Sequence, residues 1–144
     1  VLILVAEGLE NASVGRRLGI SEGTVKVHLG RTYQKLGACD RANAVYIACV
    51  SGILTDPDEP EAASVDGPLT EEELAVLRCA ANGRTNEETS DELEVSYHVV
   101  VGRHASIRRK LDAHDRAHSV GLALAAGLLQ PREIITTTPL RSAA

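Results

Sequence analysis

In 144 residues the chain is 44% hydrophobic yet has no Phe, Trp or Met and only three Tyr, so any core must be built from Leu, Val, Ile and Ala, which favours closely packed helices. The formal net charge of −5 seems to exclude a polyanionic partner, but a whole-chain sum hides its own distribution. No apolar run is long enough to cross a bilayer and nothing at the start resembles a signal peptide, so the sequence reads as cytoplasmic with no membrane partner.

Displaced by 75 positions, Val1 to Leu54 align without a gap on Val76 to Leu129, and about a third of the aligned positions are identical. They include Gly8 with Gly83, Asn11 with Asn86, Ser21 with Ser96, Lys35-Leu36 with Lys110-Leu111, and Asp40-Arg41-Ala42 with Asp115-Arg116-Ala117. Repetition settles architecture before propensity does. The expectation is an all-α chain of two tandem four-helix units at 1–54 and 69–130, each near the smallest size that buries a core alone.

In the first repeat the pattern predicts a helix ending at Gly8, a short helix over 11–18, a turn at Gly19-Ile20, a helix over 21–36 and a fourth over 40–52. The counterpart of Leu69 to Ala75 would lie before Val1, and there is no initiator Met, so the sequence reads as a fragment cut inside its first helix. Residues 55–68, with three Pro and five acids, read as a solvated linker. Next comes a helix capped by Thr70 with Glu73 in capping-box spacing. A short helix over 86–93, a turn at Glu94-Val95, a helix from Ser96 to Leu111 and a fourth over 115–127 complete the second repeat. Residues 131–144 read as a flexible tail.

Charge separates the repeats. Residues 1–54 carry six Lys or Arg against four acids, whereas 69–130 carry seven against ten. A polyanion should therefore prefer the first repeat. In its third helix Val25, Leu29, Thr32 and Leu36 fall on one predicted buried face. Opposite lie Lys26, Val27, Gly30, Arg31 and Gln34. A short helix, a tight turn and a longer helix form the helix-turn-helix arrangement, whose second helix fits the DNA major groove. Lys26 can donate to guanine or phosphate, Val27 can meet a thymine methyl, Gly30 lets the backbone approach, and Arg31 and Lys35 sit at the groove edge. Ser21 and the first-turn amides offer a phosphate seat at the positive end of the helix dipole.

The string SEGTVKVHLGRTYQKL over 21–36, with AEGLEN before it and DRANAV after it, resembles the LuxR-type (GerE or NarL-like) helix-turn-helix domain. The resemblance covers nearly all of 1–54. It implies a four-helix domain that binds double-stranded promoter DNA as a dimer and recruits or blocks RNA polymerase. By the same resemblance the positions of Lys26, Val27 and Gly30 face base edges, and those of Ser21, Thr24 and His28 lie near the backbone. Gly30 stands where a longer polar side chain is usual.

In the second repeat the matching string SYHVVVGRHASIRRKL has Val101, Gly102 and Ala105 where Lys26, Val27 and Gly30 stood. This readout face is nearly blank. Arg103, at the His28 position, can still touch phosphate, as can Arg108, Arg109 and Lys110. Glu87, Glu88, Asp91 and Glu92 on the preceding helix oppose it, since like charge beside phosphate weakens binding. The second copy therefore reads as a pairing or auxiliary element.

The fourth helices are apolar on too many sides to cover one core. Val45, Tyr46, Ala48 and Cys49 in one, and Leu122 and Leu124 in the other, are the expected pairing residues. Family members dimerise through this helix, so the resemblance implies either an intramolecular pseudo-dimer or a homodimer. A linker of about 15 residues at roughly 3.3 Å each spans about 50 Å, enough for half-sites roughly 34 Å apart.

Cys39, Cys49 and Cys79 have no metal-ligand spacing, and His114 and His118 at i, i+4 read as a solvated pair with no third ligand in sequence. His104, aligned with Leu29, reads as a packed or partly exposed imidazole. No phosphate loop, nucleophile motif or paired-carboxylate site is present, so neither an enzyme nor a cofactor is expected. Scarce aromatics disfavour single-stranded nucleic acid and RNA. Two other readings remain at this stage: an interaction module in which neither copy binds DNA productively, and a sigma region-four-like module.

Overall fold

The computed structural model describes residues 1–54 and 69–130. The linker and tail expected from sequence lie outside the described residues. Eight helices follow in order: α1 (Leu2–Ala6), α2 (Asn11–Leu18), α3 (Glu22–Leu36), α4 (Arg41–Val50), α5 (Glu71–Ala81), α6 (Asn86–Leu93), α7 (Tyr97–Leu111) and α8 (Arg116–Ala125). There is no strand among the described residues, and none of these helices is long and apolar enough to cross a membrane.

Short polar side chains start most of these helices by accepting an otherwise orphaned backbone N–H. Ser21, Asp40, Thr70, Thr85, Ser96 and Asp115 each accept from the amide three residues on. Thr85 with Glu88 forms a full capping box, as Thr70 does with Glu73. The sixth helix starts at Asn86 as the sequence predicts, and Thr85 adds a cap that the sequence pattern did not assign. The ends show where the repeats diverge. After α2 and α3 the chain turns through left-handed Gly19 and Gly37, both at φ 67. The same turns in the second repeat are made by Glu94 at φ 54 and Asp112 at φ 52, conformations that L side chains adopt only at a cost of about 1–2 kcal/mol.

One buried apolar cluster runs through both repeats, from Val5, Val14, Val25 and Leu29 through Val45 and Tyr46 to Val76, Leu77, Val100, Ile107, Leu111 and Val120. It is continuous because α4 and α8 are apolar on two sides, one turned to their own repeat and one to each other. Their mutual packing is the most extensive helix contact among the described residues. Contacts of α1 with α8 and of α5 with α4 flank it, so the repeats meet with approximate twofold reciprocity. Val45, Tyr46 and Ala48 are buried, and Cys49, Leu122 and Leu124 are half-buried.

Polar groups at the rim of this junction repeat the reciprocity. Arg41 Nε lies 3.4 Å from Asp115 Oδ2, and Arg116 Nη2 lies 2.5 Å from Asp40 Oδ2. Arg41 also donates to Asn11 Oδ1 at 2.9 Å and to the Leu9 carbonyl. Asn43 donates to the Ala81 carbonyl at 2.7 Å and accepts from the Cys39 amide. Gly8 fits only because it has no side chain: at φ +86, an added Cβ would stand 2.5 Å from His118 Nδ1.

Two sequence expectations need correction here. His118 is half-buried at the junction and stacks on His114 with ring centroids 5.3 Å apart, so the pair is not simply solvated. Burial, assisted by the neighbouring His114, lowers the His118 pKa. In α3, Val25 and Leu29 are buried, but Thr32 and Leu36 are only half-covered, because the buried stripe narrows toward the helix end and Tyr33 packs on the cluster instead.

Candidate nucleic-acid interface

In the first repeat α2 crosses α3 so closely that a Cβ on Gly15 would come within 2.7 Å of the Ile20 carbonyl. With left-handed Gly19, this fixes a tight turn that leaves one whole side of α3 uncovered. The second repeat solves the same crossing differently, with Ser90 in place of Gly15 donating its hydroxyl to the Val95 carbonyl at 2.7 Å.

The uncovered side of α3 carries the residues singled out in sequence. Ser21, Thr24, Lys26, Val27, His28, Gly30, Arg31 and Lys35 are all exposed, and Val27 is 53% exposed, a large apolar side chain held in water. Ser21 Oγ accepts the Thr24 amide at 3.0 Å and lies 2.8 Å from Thr24 Oγ1, so the two hydroxyls sit together at the positive end of the helix. Arg16 and Arg17 on α2 are exposed as well.

Glu22 was not singled out in sequence. Its carboxylate lies 2.8 Å from Lys26 Nζ one turn along α3. Both groups are solvated, so the pair is worth a few tenths of a kcal/mol. It holds Lys26 over the first turn without preventing its transfer to another acceptor. The i, i+4 spacing was the available signal. The clasp formed by Asp40, Arg41, Asp115 and Arg116 was visible in sequence only as a repeated tripeptide, because its partners come from opposite repeats.

The equivalent side of α7 is chemically different. Tyr97, Val99 and Val101 are exposed apolar groups, next to Gly102 and Ala105. Arg103 is half-buried, while Arg108 and Arg109 are exposed. Lys110, expected to be able to reach phosphate, instead bonds buried Glu73 at 2.8 Å. Ser106 donates to the same carboxylate at 2.6 Å. Ser106 and Lys110 occupy the positions of Arg31 and Lys35, and in α7 both are turned to Glu73 of α5, a residue whose counterpart would lie before Val1. Glu87, Glu88, Asp91 and Glu92 are exposed on α6, with Glu88 engaged in its cap and Glu92 paired to Arg84 at 3.2 Å. His104 is buried at the Leu29 position. Burial, with Arg116 and Arg108 adding to it, lowers its pKa to about 4, so it is neutral at pH 7.

Among the described residues no group of three His, Cys, Asp or Glu side chains is placed to hold a metal ion. Two helices packed across a tight turn, the second free along one side, make a helix-turn-helix unit, and it occurs twice.

Comparison with known proteins places that unit. The family model for bacterial regulatory proteins of the luxR family matches residues 1–48 and 67–123. The chain belongs to this family of DNA-binding transcriptional regulators. It is 49% identical over 55 residues to the transcriptional regulatory protein YdfI of Bacillus subtilis (strain 168), a match covering 38% of this chain and 26% of the relative. It is 44% identical over 54 residues to the uncharacterized transcriptional regulatory protein YxjL of the same organism, covering 38% and 25%. The probable transcriptional regulatory protein SgaR of Hyphomicrobium methylovorum is 47% identical over 45 residues, covering 31% and 21%. The matches thus span about a quarter of the length of these relatives. No solved structure matches the chain.

Proposed function

We propose that this chain binds promoter DNA as a single-chain pseudo-dimer with one competent reader. In this reading α3 enters the major groove, Lys26, Val27 and the backbone at Gly30 meet base edges, and Ser21, Thr24, His28, Arg31 and Lys35 hold phosphates. The α4–α8 packing takes the place of pairing between two subunits. The second repeat positions the first and adds at most a phosphate contact through Arg103. RNA polymerase is the partner this arrangement would recruit or block, and the cytoplasm is where it would act. The observation carrying the proposal is the difference between equivalent helix faces: α3 exposes Lys26 and Val27, whereas α7 exposes Val101 and Gly102 at the same positions.

The test is a pair of single substitutions measured on a selected duplex. Lys26→Ala should weaken binding by about 1–3 kcal/mol and relax one base position. Arg103→Ala should weaken all sequences slightly and alike. Equal, base-specific losses from both would mean that two equivalent readers are present.

The exposed apolar groups on α7 keep one alternative in view, a module whose second repeat docks another protein. It predicts that Tyr97→Ser or Val101→Ser leaves affinity for isolated duplex unchanged while abolishing the output of the regulator.

A further inference from the structure

The second repeat contains a polar cavity lined by Asn86, Val101, His104, Arg108 and Arg116; the first repeat has a wider polar recess around the equivalent Asn11 and Arg41, but it is lined by Glu10, Glu22 and Asp115 and has neither a His nor a second Arg. The volume of the second-repeat cavity is about 140 Å³, several times the roughly 30 Å³ that a water molecule occupies in the liquid. Two polar atoms of its lining are buried without a hydrogen-bond partner, Asn86 Oδ1 and His104 Nε2. His104 is only 8% exposed. Neither of the two atoms has a hydrogen-bond partner among the protein's own groups. In the first repeat Leu29 stands where His104 does and Asn11 Oδ1 accepts from Arg41 at 2.9 Å, while Arg41 Nε is buried without a hydrogen bond, 3.4 Å from Asp115 Oδ2.

The charges around the cavity have one sign in excess. Arg108 and Arg116 both line it, and Arg116 is balanced in part by Asp40, which takes its Nη2 at 2.5 Å. A guanidinium carries five N–H donors, so that single bond leaves Arg116 most of its donor capacity. Neutral His104 can present an N–H at Nε2, and the Asn86 amide presents two donors when its oxygen and nitrogen exchange places. Turned this way, all four groups donate. We propose that this cavity binds a small oxyanion of the phosphate class, held by Arg108 and Arg116 and hydrogen-bonded by His104 and Asn86. Such an occupant would supply the missing partners of both buried atoms at once. Because Arg116 also bridges to Asp40 of the first repeat, the site sits at the junction between the repeats. Of the cavity's polar lining, His104 and Arg108 are particular to the second repeat, standing where the first has Leu29 and Tyr33.

The proposal does not depend on the reading of DNA by α3, and its test is independent of that reading. The whole chain is titrated with inorganic phosphate at pH 7, with chloride holding the ionic strength constant, while the imidazole NMR signals of His104 and the thermal midpoint are followed. The expected result is a saturable shift at His104 and a rising midpoint. Arg108→Gln, a change at an exposed side chain, should weaken the apparent affinity at least tenfold. His104→Leu restores the residue of the first repeat, should fold, and should lose the phosphate response of the midpoint. A parallel titration with duplex DNA identifies the source: a His104 shift with free phosphate marks a soluble ligand, and one with duplex alone marks a backbone phosphate seated in the cavity. His104 signals unmoved by both, or a response identical in the parent and the two variants, would overturn the proposal and leave a water-filled cavity.

Discussion

Replacing Glu73 with Gln should change how stability depends on acid far more than it changes the fold. The Glu73 carboxylate is 6% exposed and accepts from Lys110 Nζ at 2.8 Å, Ser106 Oγ at 2.6 Å and the Thr70 amide at 2.9 Å. Burial alone would raise its pKa, but these donors outweigh burial and hold it at about 2, against an ordinary 4.5. That gap corresponds to about 3 kcal/mol of stability at neutral pH. Since the folded value lies below the unfolded one, the contribution is complete above the ordinary pKa and is lost as pH falls through about 2. Roughly half should survive at about pH 3 by the same linkage. Urea unfolding of parent and Glu73→Gln from pH 7 to pH 2 measures it, because the other carboxylates cancel in the difference. The two curves should converge by about 3 kcal/mol over that range. Parallel curves would refute the claim that Lys110 and Ser106 are committed to Glu73, and with it the argument that this part of α7 is withdrawn from phosphate.

Two further substitutions probe the local geometry. Gly15→Val forces a Cβ to within 2.7 Å of the Ile20 carbonyl, so it should lower stability by about 1–3 kcal/mol and abolish duplex binding, read by thermal melting and fluorescence anisotropy; a variant with parental stability would show that the α2–α3 crossing is loose. Glu94→Gly relieves a left-handed residue at φ 54. It should raise stability by about 0.5–1 kcal/mol, the left-handed penalty less the added flexibility of the unfolded chain, and a loss in the same assay would place the stabilising role in the Glu94 side chain.

Much of this architecture was readable from local signals. The repeat, the caps at Ser21, Thr70 and Ser96, and the glycine turns are set by residues close in sequence, where spacing and backbone preference act directly. The basic face of α3 was legible for the same reason: helical periodicity alone separates Lys26 and Val27 from Val25 and Leu29. What escaped depends on contacts between distant residues. Nothing in the tripeptide Asp-Arg-Ala shows that each Arg reaches the Asp of the other copy, and His114 and His118 looked like a free pair because Gly8 lies far away in the chain. The fate of Lys110 was likewise invisible, since the carboxylate that captures it sits on α5. The excess apolar surface of α4 and α8 signalled that something must cover it but left open whether the cover came from the same chain. In the structure α4 covers α8.

The central claim is that one chain presents one reader, and selection of bound fragments from a random duplex pool, followed by mass measurement of the complex, tests it most directly. The account predicts a one-sided site, with base preference confined to a single half and one chain per duplex. A palindromic consensus with two equally demanding halves, or two chains required for every bound duplex, would contradict it.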